Sequence, residues 1–143
     1  MTFALPTDRA TSVLLILNPT AGRRRRGLVD AVVHRVRSQG WTVDVVETTA
    51  SGDARRYAEA CDAGRYGVIA VAGGDGTINE VVNGLAARAA TAPPLAIVPL
   101  GTANVLAHEL GLGSSASSLA QVVTAGREVL MHPGQANDAG RPR

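Results

Sequence analysis

Short apolar runs alternate along the chain with segments in which apolar residues recur every third and fourth position. That alternation is the signature of βα units wound around a parallel sheet. Residues 13–17 (VLLIL) are an unbroken run, as a strand covered on both faces requires, and predict a central strand. After the polar turn Asn18-Pro19-Thr20-Ala21-Gly22, a stripe of Leu28, Val32, Val33 and Val36 predicts a helix ending near Gly40. Thr42–Glu47 alternates through Asp44 and predicts a strand with one face less buried. A second helix is expected from Asp53, with Ala54, Tyr57, Ala58 and Cys61 on one face and its end near Gly64.

Residues 68–72 (VIAVA) predict a third, fully covered strand that runs into Gly73-Gly74-Asp75-Gly76-Thr77 and then a helix striped by Ile78, Val81, Val82 and Leu85. Pro93 and Pro94 break the chain before a fourth strand, residues 95–98. Pro99-Leu100-Gly101-Thr102 closes that strand and opens a helix carrying Ala103, Leu106, Ala107 and Leu110. A last helix from about Ser115 carries Ala116, Leu119, Ala120 and Val123. Residues 128–131 read as a fifth strand or as the start of a crossover, and residues 132–143 lack apolar periodicity and are expected to be mobile. The expected organisation is a tail at 1–11, one α/β domain at 12–131 and a polar tail at 132–143. The fold class is an open, doubly wound, mostly parallel sheet, in which ligands bind at the carboxyl ends of the strands. Attention therefore falls on the loops after strands one, three and four.

A length of 143 residues suits one core rather than two. All 14 basic residues are arginine, so mechanisms that need a lysine are excluded, the P-loop lysine and the Schiff base among them. Cys61 is the single cysteine, which removes an internal disulfide and a multi-thiolate zinc site. No apolar run approaches the roughly 20 residues of a membrane span, and no signal-peptide pattern is present, so a cytoplasmic chain is expected. A net charge of +2 is a weak field, and Phe3, Trp41, Tyr57 and Tyr66 make no stacking platform, so no specific nucleic-acid partner is expected.

Gly73-Gly74-Asp75-Gly76-Thr77 joins a strand to a helix N-terminus, where glycines let a phosphate approach the backbone amides and the helix dipole favours an anion. Asp75 beside an anion site calls for a bridging divalent cation, most naturally Mg²⁺. A plainer reading runs alongside: Thr77 caps the helix and Glu80 completes a capping box. In Pro99-Leu100-Gly101-Thr102-Ala103-Asn104, Thr102 either caps the next helix or holds a second phosphate or ribose. The Asn18–Gly22 turn is weak alone, but three such loops along one sheet edge point to a nucleotide. Arginines at residues 23–26 lie at the unfavourable end of a helix dipole, which a bound anion would relieve, whereas a solvated loop needs no ligand. His34, His108 and His132 lack metal-ligand spacing and are read as core or surface packing residues, with no catalytic role.

NPTAG (18–22), GGDGTINEVVNGL (73–85) and PLGTANVLAHELGL (99–112) resemble the catalytic domain of diacylglycerol kinases, shared with bacterial lipid kinases and sphingosine kinases. GGDGT alone also occurs in NAD kinases and phosphofructokinases; the longer motifs single out the lipid-kinase branch. The resemblance covers about residues 12 to 131 and implies an NAD kinase/diacylglycerol kinase-like nucleotide-binding domain. It also implies Mg²⁺-dependent transfer of the ATP γ-phosphate to a lipid hydroxyl at a membrane surface. Carried over position by position, it places Asn18, Thr48, Gly73, Gly74, Asp75, Gly76, Thr77, Ile78, Asn79, Glu80 and Thr102 at the nucleotide, with Asp75 tied to metal and catalysis. Many relatives have an aspartate where this chain has Val105, so the metal network is expected to differ. Relatives also carry a second, mostly β domain with the lipid pocket and general base. Those functions are expected from a separate domain, another chain or a homo-oligomer. Two other readings remain at this point: a non-catalytic nucleotide-binding stub, and an arginine-dependent anion- or membrane-binding module.

Overall fold

The computed structural model describes residues 9–135. Strands β1 (Ser12–Leu17), β2 (Thr42–Glu47), β3 (Val68–Gly73) and β4 (Leu95–Pro99) form one parallel sheet in the order β2-β1-β3-β4. A short 3-10 turn (Arg23–Arg25) leads into α1 (Arg26–Ser38), followed by α2 (Asp53–Ala60), α3 (Asp75–Ala86), α4 (Val105–Glu109) and α5 (Ala116–Ala125).

The two-face burial expected for the apolar runs follows from helices on both sides. Val13, Leu15 and Leu17 of β1 join Ala70, Ala72 and Val98 in a core closed by Val29, Val32 and Val36 of α1 and Leu119 and Val123 of α5. The intervening Leu14 and Ile16 join Ile69, Val71 and Ile97 in a second core closed by Ala54 and Ala58 of α2 and Ile78 and Val81 of α3. Residues 13–17, 68–72 and 95–98 alternate between two dry faces, so every one of them is apolar. β2 lies at the sheet edge and does not keep one face covered throughout: Val43 is buried, while Val45 on the same face is 43% exposed in a cleft beside Val29 and Val33.

Several boundaries differ from the sequence reading. The buried seam of α1 is Val29, Val32 and Val36, with Leu28 and Val33 packed at its flanks rather than at its centre. α2 ends at Ala60, not near Gly64, because Cys61 turns to extended backbone (φ −62, ψ 127). The Cys61 thiol stays buried, and its carbonyl accepts a hydrogen bond from Arg88. α4 starts at Val105, leaving Ala103 in the preceding bend. Residues 128–131 form no fifth strand: they have no regular structure, and Val129, Leu130 and Met131 are exposed. An apolar alternation becomes a strand only where a neighbouring edge bonds its backbone, and the sheet of the described residues contains four strands. The expected mobile tail falls, from residue 136 onward, outside the described residues, as do residues 1–8.

From β1 the chain crosses to one side of the sheet, to β2, and from β3 to the other, to β4. The carboxyl ends of β1 and β3 therefore bound the point where the winding reverses, the place where sheets of this kind leave a crevice. The registers keep these ends level, with Leu17 beside Ala72 and Gly73 beside Pro99.

Candidate functional site

Asn18, the first residue beyond β1, ties the two sides of this crevice together. Its backbone N–H donates to the Ala72 carbonyl (2.9 Å), and its side-chain Nδ2 donates to Thr77 Oγ1 on α3 (2.9 Å). Its Oδ1 accepts from the Thr20 amide (3.0 Å) and hydroxyl (2.8 Å), which turns the loop back on itself. One short polar side chain thus fixes the loop after β1 to the first turn of the helix after β3.

That engagement displaces the capping box. α3 begins at Asp75 with Gly74 as its N-cap and no side-chain cap, so Thr77 already lies inside the helix, buried against Asn18. Glu80 faces the start of α2 instead, where its Oε1 accepts from the Gly52 N–H (3.0 Å) and Ser51 Oγ (3.3 Å). Ile78 N–H is the first to close a helical bond, to Gly74 O (3.0 Å), so the amides of Asp75, Gly76 and Thr77 have no partner within the helix. Gly76 and Asn79 are exposed on this turn, and Ile78 is core.

The loop after β4 closes against the same turn. Leu100 N–H donates to Gly73 O (2.9 Å), and the Val105 N–H donates to Asp75 Oδ1 (2.9 Å). Gly101 lies flat on Gly74: a Cβ at Gly101 would sit 2.8 Å from Gly74 Cα. Thr102 does not cap α4; it is exposed in the bend, and the N-cap is Asn104, because residues 101–103 are used in turning the chain. The loop after β1 packs here too. Gly22 has φ +65, and a Cβ there would sit 2.5 Å from Leu100 O, so its left-handed backbone and its contact both require glycine. Arg25 Nη1 reaches Pro99 O (3.3 Å).

Thr48 joins the site through its backbone, donating to Leu17 O (2.9 Å). The turn beyond it is built on Asp53, which is 2% exposed. Asp53 Oδ2 accepts from the Thr49 amide (2.8 Å), the Thr49 hydroxyl (2.9 Å) and the Ala50 amide (2.9 Å), while Oδ1 pairs with Arg56. These bonds to the ionised form, the Thr49 amide first, lower its pKa from 3.8 to about 2. A folded-state pKa below the unfolded one means stability that is present above about pH 4 and lost as pH falls through about 2. Thermal melts across that window are expected to show a falling midpoint for the wild type. Asp53→Ala is expected to melt lower above the window and to lose most of the slope within it.

Beside Asn18, a cleft is lined by Ala21, Gly22, Arg23, Arg26 and Leu100. Arg23 is exposed, and Arg26 pairs with Glu47 (2.8 Å). His34, His108 and His132 are all exposed, so none packs in the core. Among the described residues no group of three or more His, Cys, Asp or Glu gathers to hold a metal ion. Sequence reasoning missed the Asp53 turn, the Glu80–Gly52 link and the part played by Asn104. Only Asn104 had a local signal, since it lies within the motif already singled out.

An open parallel sheet with four interlocked loops at its switch point defines the class: a doubly wound α/β domain with its site at the strand ends. The chain belongs to the diacylglycerol kinase catalytic domain family, whose model matches residues 12–136. It is 33% identical over 126 residues to the diacylglycerol kinase of Staphylococcus aureus strain JH9, covering 87% of this chain and 39% of the relative. The same identity and coverage hold for the diacylglycerol kinase of strain Newman. A crystal structure of a diacylglycerol kinase from Bacillus anthracis superposes with a TM-score of 0.71 at 32% identity, covering 85% of this chain and 44% of that one. The chain thus spans about two fifths of the length of the curated relatives it matches.

Proposed function

We propose that this domain is the nucleotide-holding half of an ATP-dependent lipid kinase that transfers the γ-phosphate to the hydroxyl of a diacylglycerol-like lipid. The observation that carries the reading is the pair of bonds Asn18–Thr77 and Val105–Asp75, which hold three glycine-bearing loops together at the switch point. The unpaired amides at the start of α3 would meet phosphate oxygens, and Gly76 leaves open space beside them, while Gly73 and Gly74 let Thr77 and Gly101 pack close behind. Asn18, Thr48 and Thr102 lie in loops at the same carboxyl edge of the sheet and would orient the nucleotide; Glu80 would support it from behind by holding the turn before α2 at Ser51 and Gly52. Arg23 adds positive charge at its rim.

Mg²⁺ fits this site in one form. Asp75 is the single carboxylate in the two loops after β3 and β4, too few ligands for a protein-only site, so Asp75 would hold a cation already carried by the nucleotide's phosphates. When bound it neutralises phosphate charge, and positioning by the protein supplies most of the remaining catalysis. We place the lipid pocket and the general base outside these residues, in a further domain, a partner chain or a second copy, with the whole acting from the cytoplasm at a membrane surface. No helix among the described residues is long and apolar enough to cross a membrane.

The test is phosphoryl transfer from γ-labelled ATP to diacylglycerol in mixed micelles. The chain is assayed alone and mixed with the part of the S. aureus relative that lies beyond the matched segment. Labelled phosphatidic acid is expected in at least one of the two assays. None in both, with the S. aureus enzyme active alongside, removes the kinase reading.

A further inference from the structure

Asn104 combines two costly features for which nothing above accounts. Among the described residues it is the one non-glycine residue with positive φ (φ 50, ψ 49), and it is 7% exposed. Its Oδ1 is buried with no hydrogen-bond partner. Glycine would take this backbone without strain and without burying an amide, so the side chain itself must be what the site uses. The amide cannot be reversed to relieve Oδ1, because Nδ2 donates to Gly101 O (2.8 Å) and a reversal would set two acceptors against each other.

The geometry shows what that bond achieves. It closes residues 101–104 into a turn whose next amide, Val105 N–H, meets Asp75 Oδ1 at 2.9 Å. The turn also presses Gly101 onto Gly74: a Cβ at Gly101 would lie 3.0 Å from Asn104 Oδ1 and 2.8 Å from Gly74 Cα. The Asn104 amide therefore backs the contact between the two loops. We propose that Asn104 is a positioning residue for Asp75, holding the loop after β4 so that the Val105 amide fixes the Asp75 carboxylate in one orientation for the nucleotide-bound cation. In this chain a backbone N–H steadies Asp75 from position 105. The inference rests on the reading of Asp75 as the nucleotide-facing carboxylate.

Two variants separate the side chain from the backbone. Asn104→Gly keeps the left-handed turn and removes the amide, and Asn104→Asp keeps the shape but replaces the Nδ2 donor with an acceptor. In both, hydrogen exchange at the Val105 amide is expected to accelerate by about tenfold while amides of β3 keep their protection. The dissociation constant for Mg·ATP is expected to rise by about tenfold in the Asp75 background and not at all in Asp75→Ala, since the residue acts through Asp75. Unchanged Val105 exchange overturns the proposal, and so does a loss of affinity that adds to that of Asp75→Ala. The exchange measurement needs no ligand, so it decides the point even if the unaltered chain binds no ATP, a result that would count against the proposed function instead.

Discussion

Gly101→Val is expected to abolish measurable Mg·ATP binding and to destabilise the domain by about 1–3 kcal/mol, the usual range for forcing extra atoms into a packed contact. A Cβ at this position meets Gly74 Cα at 2.8 Å, Asn104 Oδ1 at 3.0 Å and the Asp75 amide nitrogen at 3.8 Å. Two of these are backbone atoms, and the third belongs to an amide whose Nδ2 is bonded to Gly101 O, so none can swing aside as the end of a flexible side chain would. The loops after β3 and β4 must separate. That opening breaks the Leu100–Gly73 backbone bond and the Val105–Asp75 bond together. Gly101→Ala acts in the same direction with a smaller effect. Denaturant unfolding measures the stability change and calorimetric titration the binding; wild-type affinity in Gly101→Val would show that the two loops need not touch for the site to work.

Asp75→Ala separates binding from folding. An acidic residue in the first turn of a helix contributes about 0.3–1 kcal/mol through the dipole, and the exposed bond from Val105 N–H about 0.5–1.5 kcal/mol, so the melting midpoint is expected to fall by only a few degrees. Affinity for Mg·ATP is expected to fall by about 30- to 100-fold, because the loss of a charge-paired group in a binding site costs about 2–3 kcal/mol. The sign reverses without magnesium. A carboxylate beside a polyphosphate repels it, so ATP in excess chelator binds Asp75→Ala as well as the wild type or better. Asp75→Asn can still accept the Val105 amide but lacks the charge, and it is expected to bind ATP with an affinity that no longer depends on magnesium. Equal losses with and without the metal would instead mark Asp75 as a structural residue.

The strands were legible because their environment is written in every position: a run such as residues 13–17 has no polar member when both faces are dry, and β2 mixes polar and apolar residues because it lies at the sheet edge, though Val43 and Val46 on opposite faces both meet a core while Val45 is exposed. Helix ends were harder. Cys61 continues the i, i+3, i+7 pattern of α2 and is buried, yet it lies outside the helix, since periodicity reports burial and not backbone angle. Thr77 and Glu80 have the spacing of a capping box, but the N-cap is Gly74, three residues earlier, so both side chains bond to distant loops. Those partners, Asn18 and Gly52, are 59 and 28 positions away, and no local pattern encodes them. The loops after strands one, three and four were identifiable from glycine content and position alone. What welds them together, the Gly22–Leu100 and Gly101–Gly74 contacts and the Asn104 turn, depends on packing that sequence neighbours do not share.

Whether these loops form one nucleotide site is tested most directly by an NMR titration of the ¹⁵N-labelled chain with Mg·ATP. Saturable shifts are expected at Asn18, Thr48, residues 73–77 and residues 101–105, all of them weakened in Asp75→Ala. The absence of saturation, or shifts centred on the far side of α1 and β2 with these loops unmoved, would contradict a single shared site.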